Sequence, residues 1–298
     1  MLKQIIGGAL LAVMLQSTAF AAGYTDNAKV EVENKLEFVF NSIDDLKTLN
    51  LSDYDSPEIF ANFREVTTTG MKPKTLYRTS NPMDIHGNKF RHKYADSLAK
   101  KAGVKVEIDL ADTDENLARS LNNSGVKKKY CYGLYKEGKL LNMHLGGDGL
   151  YSRDWPLLAK AFRFMLDNEG PYLVHCTYGR DRAGFVAMLC EALAGATIED
   201  LRKDYMQTYV NYYHLKPNGY EYSVIQRFHA DKIIYYIAHP DFAQDKKAIP
   251  DNISVYDINP KEAAENFFKT ALQFSDEEVK ALQNKLSDGK VVEGASEL

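Results

Sequence analysis

Pro171-Tyr172-Leu173-Val174-His175-Cys176-Thr177-Tyr178-Gly179-Arg180-Asp181-Arg182-Ala183-Gly184 is the stretch from which the rest of the chain is read. Its first five residues are a short, mostly apolar run that leads into a cysteine, the pattern of a buried strand. Val186, Leu189, Cys190 and Leu193 then fall at i, i+3, i+4 and i+7, which predicts a helix closed by Gly195. Upstream, Pro156 suits a first helical turn, Leu157, Leu158, Ala161, Phe162, Met165 and Leu166 keep helical spacing, and Gly170 fits a stop. Helix, strand, loop, helix is the grammar of an α/β fold.

The loop from Cys176 to Arg182 carries the chemistry. Five residues separate the cysteine from the arginine, enough to curl into a cup whose backbone N–H groups point inward. Backed by the N-terminus of the next helix, such a cup is an anion site. Gly179 lets the chain bend where a Cβ would obstruct it, and Arg182 offers a planar fork that grips two oxygens of a phosphate. The same positive field lowers a thiol's pKa, so Cys176 is expected to be a thiolate aimed at phosphorus. Thr177, Tyr178, Gly179, Arg180, Ala183 and Gly184 are the expected substrate-binding residues.

Outward from this loop the chain is of average make-up. It has 298 residues, is 45% hydrophobic and 26% charged, and its formal net charge of -4 gives no global pull toward nucleic acid or anionic membrane. Lys3, the apolar run Ile5 to Leu15 and Ala19-Phe20-Ala21 read as a secretory signal peptide cut after Ala21. The expected location is therefore secreted or periplasmic, with no integral membrane segment in the mature chain. Residues 22–58 are a lead-in, 59–245 the main domain that carries the loop, and 246–298 a helical extension with a frayed tail from 288. Val104, Val106, Ile108 and Leu110 alternate with Lys105, Glu107 and Asp109, which predicts a strand with one buried face. Residues 126–135 and 139–145 are further strand candidates. Residues 198–213 and 220–237 read as helices. Asn259-Pro260 starts another, and Ser275 with Glu278 forms a capping box for the last. Of the three cysteines, Cys131 and Cys190 are read as small buried hydrophobes, with a disulfide between them as the alternative.

The loop resembles the H-C-x5-R signature of the protein tyrosine phosphatase superfamily. The form H-C-T-x-G-[KR]-D-R-A-G resembles the bacterial tyrosine phosphatase branch, which includes secreted enzymes that also accept phosphoinositides. Asn62-Phe63-Arg64-Glu65, Leu76-Tyr77-Arg78-Thr79-Ser80 and Val106 to Leu110 resemble that branch's N-F-R-D, L-Y-R-S and I-D-L stretches. The likeness spans roughly residues 60 to 215. It implies a tyrosine phosphatase-like α/β fold. A central, largely parallel sheet would be flanked by helices, with extra C-terminal helices capping or supporting the loop. It also implies that Cys176 forms a phosphocysteine, that Arg182 holds the equatorial oxygens, that Asp181 is the general acid, and that no metal or other cofactor is needed. Two departures stand out. Ala183 replaces the Ser or Thr whose hydroxyl helps the thiolate leave in much of the superfamily. Arg180 replaces the branch's lysine, and is either a clamp for a second phosphate or a solvated rim charge.

Other residues leave alternatives open. Asp148 and Asp154 are further candidates for the acid, Asp154 being equally a cap for the helix at Trp155-Pro156. His175 is read as supporting, hydrogen-bonded to the loop. His144 and His214 have no ligand partners at metal-binding spacing. Arg64 and Arg78 either brace the site or pair with Asp109. Tyr205, Tyr209, Tyr212 and Tyr213 either line a cleft or pack the core. The expected partner is a phosphorylated protein, or alternatively a phosphoinositide or inositol phosphate. A phosphate-binding pseudophosphatase is the rival that Ala183 and an oxidising compartment favour. A sulfurtransferase, which holds a persulfide on a loop cysteine, fits Arg180, Asp181 and Arg182 less well.

Overall fold

The structure is a computed structural model, and it describes residues 38–85, 90–146, 151–241 and 253–289. The chain divides into residues 1–42, of which 38–42 are helical, and residues 43–298, which carry the sheet. The signal-peptide segment, most of the lead-in, the stretch 242–252 and the tail from 290 lie outside the described residues.

Five strands form one sheet: β1 (Arg64–Glu65), β2 (Leu76–Ser80), β3 (Val106–Asp109), β4 (Leu140–Asn142) and β5 (Tyr172–Cys176). Their order is β1-β2-β5-β3-β4, with only β1 antiparallel to its neighbour. The helices, in chain order, begin with α1 (Pro57–Ala61), α2 (His92–Lys101), α3 (Asp114–Leu121), α4 (Tyr130–Lys136) and α5 (Trp155–Asp167). They continue with α6 (Asp181–Ala194), α7 (Ile198–Tyr213), α8 (Tyr220–Ile225), α9 (Asp231–Ala238), α10 (Pro260–Thr270) and α11 (Asp276–Leu286). The expected mixed α/β fold with a mostly parallel sheet is therefore present.

β5 is the central strand and is wholly buried. On one face Tyr77 and Leu173 pack with Ala99, Leu117, Cys131 and Leu134 from α2, α3 and α4. Against the other lies α6, whose residues from Ala183 to Ala194 are all buried. The sheet-to-helix turn thus joins two buried elements, while Thr177, Tyr178 and Arg180 to Arg182 within it stay half-buried. α10 and α11 pack on α6 and α5, while α7 runs beside α6 and reaches the loop end of the sheet. Asn259 and the Ser275–Glu278 capping box start α10 and α11 as their sequences predict.

Two expectations are corrected. β3 is buried on both faces: Glu107 and Asp109, expected to face solvent, are fully enclosed along with Val106 and Ile108. Residues 126–135 hold no strand; a 3-10 turn at Val126–Lys128 leads into α4. Val126, Cys131 and Leu134 all seat in the core cluster, and a helical turn is what brings 131 and 134 to one face. The segment 139–145 contributes β4 over Leu140–Asn142.

Candidate active site

The turn from β5 to α6 is shaped by contacts that only glycine permits. Gly179 has φ +68°, and a Cβ there would lie 2.2 Å from the Thr79 carbonyl oxygen. Gly184, in the first turn of α6, leaves no room either: a Cβ would meet Tyr205 at 2.7 Å and Arg78 Nη2 at 2.8 Å. The carbonyls of the loop are taken up from outside. Asn81 N donates to Thr177 O at 3.2 Å. Asn62 Nδ2 donates to Tyr178 O and Gly179 O at 3.1 and 3.3 Å, and Arg78 Nη2 to Gly179 O and Arg180 O at 2.8 and 2.9 Å. In a trans peptide the N–H opposes the C=O, so fixing four carbonyls outward turns the amides of residues 178 to 181 inward. The result is a cup of donors at the N-terminus of a buried helix, positive without any side-chain charge.

Cys176 closes β5 at the floor of this cup, nearly buried, its thiol free. Across the loop Arg182 donates from Nη2 to Thr177 Oγ1 at 3.3 Å and from Nη1 to the carbonyls of Leu110 and Leu145 at 3.0 and 3.3 Å. These carbonyls, beyond the ends of β3 and β4, fix where the guanidinium plane lies. The structure thus places Arg182 over the start of the loop, beside Thr177.

The bracing residues have different partners from those expected. Arg64 and Arg78 pair not with Asp109 but with Asp204 of α7, at 2.8 Å (Nε to Oδ1) and 2.5 Å (Nη1 to Oδ2). Burial alone would raise the Asp204 pKa, but the two guanidiniums outweigh it and hold the carboxyl well below the usual range. Beside them Glu191, fully buried on α6, is pushed well above its ordinary value by burial and by Asp204, against the pull of Arg78 and Arg64. Asn62, in the left-handed region at the end of α1, accepts from Arg64 Nη1 at 2.8 Å and from Asn211 Nδ2 at 3.0 Å. One network therefore ties α1, β1, β2 and α7 to the loop's outer face.

His175 points to the opposite side of the sheet from Cys176, since neighbours along a strand alternate. It does not bond the loop as expected. Its Nε2 lies 2.9 Å from Glu107 Oε1 and its Nδ1 3.7 Å from Asp109 Oδ1, all three side chains enclosed. Burial pushes the imidazole pKa down, but Asp109 and Glu107 together carry it up to about 9. A charged imidazolium one residue before the thiol is the product of β3's inward carboxylates. The next acid along, Asp112, accepts from Asn81 Nδ2 at 3.0 Å; burial and Asp109 raise it to about 6.

Asp181 opens α6, and Arg180 Nε sits 2.9 and 3.1 Å from its two carboxylate oxygens. Burial would raise Asp181, but Arg180 outweighs it and lowers the pKa. Arg180 also donates to the Tyr213 hydroxyl, so it is a packed cation at the rim rather than a solvated one. Asp154 is buried and accepts from Gly146 N at 2.9 Å, a tie that holds the loop after β4; it caps no amide of α5. Asp148 lies outside the described residues. Tyr205, Tyr209, Tyr212 and Tyr213 are buried core residues that also wall the loop. His144 Nδ1 contacts Ala111 O at 2.6 Å, and the His214 ring packs at a tilt against Tyr54, 5.1 Å between centroids. Among the described residues no group of three or more His, Cys, Asp or Glu could hold a metal ion. All three cysteines are free, and burial raises the thiol pKa of both Cys131 and Cys190.

Sequence reasoning missed Lys47, Asp112 and Asp204. Lys47, from the segment before α1, places its ammonium 4.1 Å from the centre of the Tyr178 ring, and burial and Arg180 lower its pKa. None of the three carries a local signal: each acquires its role from elements distant in sequence.

A strand ending in a free thiol, a turn whose carbonyls are held from outside and an arginine in the next helical turn lie together at one end of a mostly parallel sheet. The model of the tyrosine phosphatase family matches residues 58–288, and the chain belongs to that family. It is thus a phosphatase of the tyrosine phosphatase type, a hydrolase. A search of curated proteins found no match.

Proposed function

We propose that this phosphatase hydrolyses phosphomonoesters through a phosphocysteine on Cys176, with phosphotyrosine in protein as the leading substrate. The observation that carries this reading is the free thiol at the end of β5, with the Arg182 guanidinium held 3.3 Å from the hydroxyl of Thr177, the very next residue. The sulfur attacks phosphorus, and the bond from phosphorus to the ester oxygen breaks. The leaving oxygen takes a proton from Asp181, while Arg182 and the inward amides of residues 178 to 181 hold the equatorial oxygens. Water then attacks phosphorus, returns a proton to Asp181 and releases the sulfur. Because Arg180 holds Asp181 below its ordinary pKa, only the protonated fraction donates, so the acid-dependent step is fastest on the acidic side of neutrality. In this reading guanidinium and amides supply the positive field.

The test is turnover of p-nitrophenyl phosphate, phosphotyrosine peptide, phosphoserine peptide and a phosphoinositide by the purified mature chain beside Cys176→Ser. Loss of all turnover in the variant is expected. Phosphate binding with no turnover by the wild type would instead make the chain a pseudophosphatase. A loss on poor leaving groups in Asp112→Asn but not in Asp181→Asn would move the acid role to Asp112.

One observation favours a second substrate class. Lys47 and Arg180 set two cations at the rim beside Tyr178 and Tyr213, a place for a second phosphate such as a phosphoinositide or inositol phosphate carries. We also propose export, on the strength of Lys3, the apolar run to Leu15 and Ala19-Phe20-Ala21. A mature N-terminus at Ala22 in the periplasmic or secreted fraction is the expected result.

A further inference from the structure

The sulfur of Cys176 has no hydroxyl on α6 to turn to, because residue 183 is alanine. The neighbouring strand supplies one. Ser80 pairs in register with Cys176 across the parallel β2–β5 ladder, and register partners project to the same face of a sheet. Two positions earlier, Arg78 pairs with Val174 and reaches Asp204, so that face is the one covered by α6 and α7. The Ser80 Oγ is buried there with no hydrogen-bond partner. The hydroxyl of Tyr212 on α7 is likewise buried without a partner, and its ring packs edge-on to Tyr178 of the loop, 6.3 Å between centroids. Burial first, then Arg91, Ser80 and Cys176 are the groups that set the Tyr212 pKa, which is raised. The Ser80 side chain thus shares a sheet face with Cys176 in register, and Tyr212 adds a second buried hydroxyl on that side of the sheet.

A native interior rarely leaves two neighbouring hydroxyls idle, and an unpaired buried donor is best satisfied by an anion. We propose that Ser80, backed by Tyr212, donates a hydrogen bond to the sulfur anion of Cys176 and thereby takes over on β2 the task that a hydroxyl after the arginine would perform on α6. The inference rests on Cys176 being the nucleophile. The hydrogen bond matters most in the second half of the reaction. There water's oxygen bonds to phosphorus, the phosphorus–sulfur bond breaks, and its electron pair stays on sulfur. The donor meets charge as it develops, so its loss slows dephosphorylation more than phosphorylation. The arrangement also explains why Ala183 is tolerated at the start of a tightly packed helix.

Rapid-quench kinetics with p-nitrophenyl phosphate, at matched thermal stability, test this. Ser80→Ala is expected to lower kcat by about ten- to a hundred-fold, the worth of one hydrogen bond to a charged group. It should also show a burst of nitrophenol and an accumulating phosphoenzyme that the wild type lacks. Ser80→Thr, which keeps the hydroxyl, and the double variant Ser80→Ala/Ala183→Ser should both recover most of the loss. Tyr212→Phe removes one oxygen from a packed ring, and should show a smaller burst of the same kind even if Ser80→Ala folds poorly. Wild-type kcat without a burst in both single variants would overturn the proposal. If Cys176→Ser still turned over substrate, the nucleophile reading itself would fail, an outcome distinct from that one.

Discussion

Asp204→Asn removes one negative charge and almost no volume from the centre of the brace behind the loop. In the wild type that carboxylate neutralises Arg78, fully buried, and Arg64, nearly so, through contacts of 2.5 and 2.8 Å. Breaking a buried pair by removing one partner costs about 3–5 kcal/mol, because the remaining charge keeps its desolvation cost without its attraction. The low end applies here. Burial and Asp204's own charge push the Glu191 pKa up, and with that charge gone it ionises more readily and offsets part of the loss. For a domain of this size each kcal/mol is worth about 2–4 °C, so the melting temperature should fall by about 6–12 °C. Arg78 Nη2 also fixes the carbonyls of Gly179 and Arg180, so the amides of the cup lose their alignment. A fall in kcat/KM of about ten- to a hundred-fold on p-nitrophenyl phosphate is the expected companion. The sign with pH follows from the depressed folded-state pKa of Asp204. Its contribution is present above the unfolded carboxylate value of about 4 and is lost as pH falls below it. Thermal unfolding by circular dichroism from pH 2.5 to 7 reads both effects. A drop in melting temperature below about 2 °C at pH 7, with kinetics unchanged, would refute the reasoning.

Gly179→Ala should abolish measurable turnover and lower stability, since its Cβ would lie 2.2 Å from the Thr79 carbonyl oxygen at a backbone φ of +68°; a variant with more than a tenth of wild-type kcat would contradict this. His175 is raised to about 9 in the fold from about 6.5 unfolded, so its contribution is full below pH 6.5 and is lost as pH rises through 9. The loss is on the order of 3 kcal/mol, read as a falling melting temperature between pH 6 and 9.5. Glu107→Gln should flatten that slope, and an equal slope in both proteins would show that the imidazole is not the cause. Lys47→Ala should raise KM for a doubly phosphorylated inositol about tenfold more than for p-nitrophenyl phosphate, and equal changes would remove the second-phosphate reading.

What was legible in the sequence lay in contiguous residues. The apolar run into Cys176, the glycine at 179, the arginine at 182 and the helical spacing beyond encode a strand, a tight cup and a helix by local sterics and hydrogen bonding. That alone gives the order of elements around the turn and points to it as the candidate site. The misreadings came where burial depends on distant partners. Alternation in β3 marks two faces but cannot say that the second is covered. Glu107 and Asp109 go inside because His175, on the adjacent strand, becomes a cation between them. In residues 126–135 strand-favouring side chains form a helix because Cys131 and Leu134 must reach one apolar cluster together.

The functions of Arg78, Asp204, Ser80 and Tyr212 were set by tertiary structure. Each sits in a segment that reads as ordinary strand or helix, and only the β2–β5 register and the crossing of α7 bring these side chains to the cup. The amino-acid sequence by itself determined the thiol, its cradle and its arginine, because the chemistry of an anion-binding turn is local. Which groups brace that cradle, and which hydroxyls share its sheet face, was decided by the packed fold, because strand register and helix crossing set which distant side chains become neighbours.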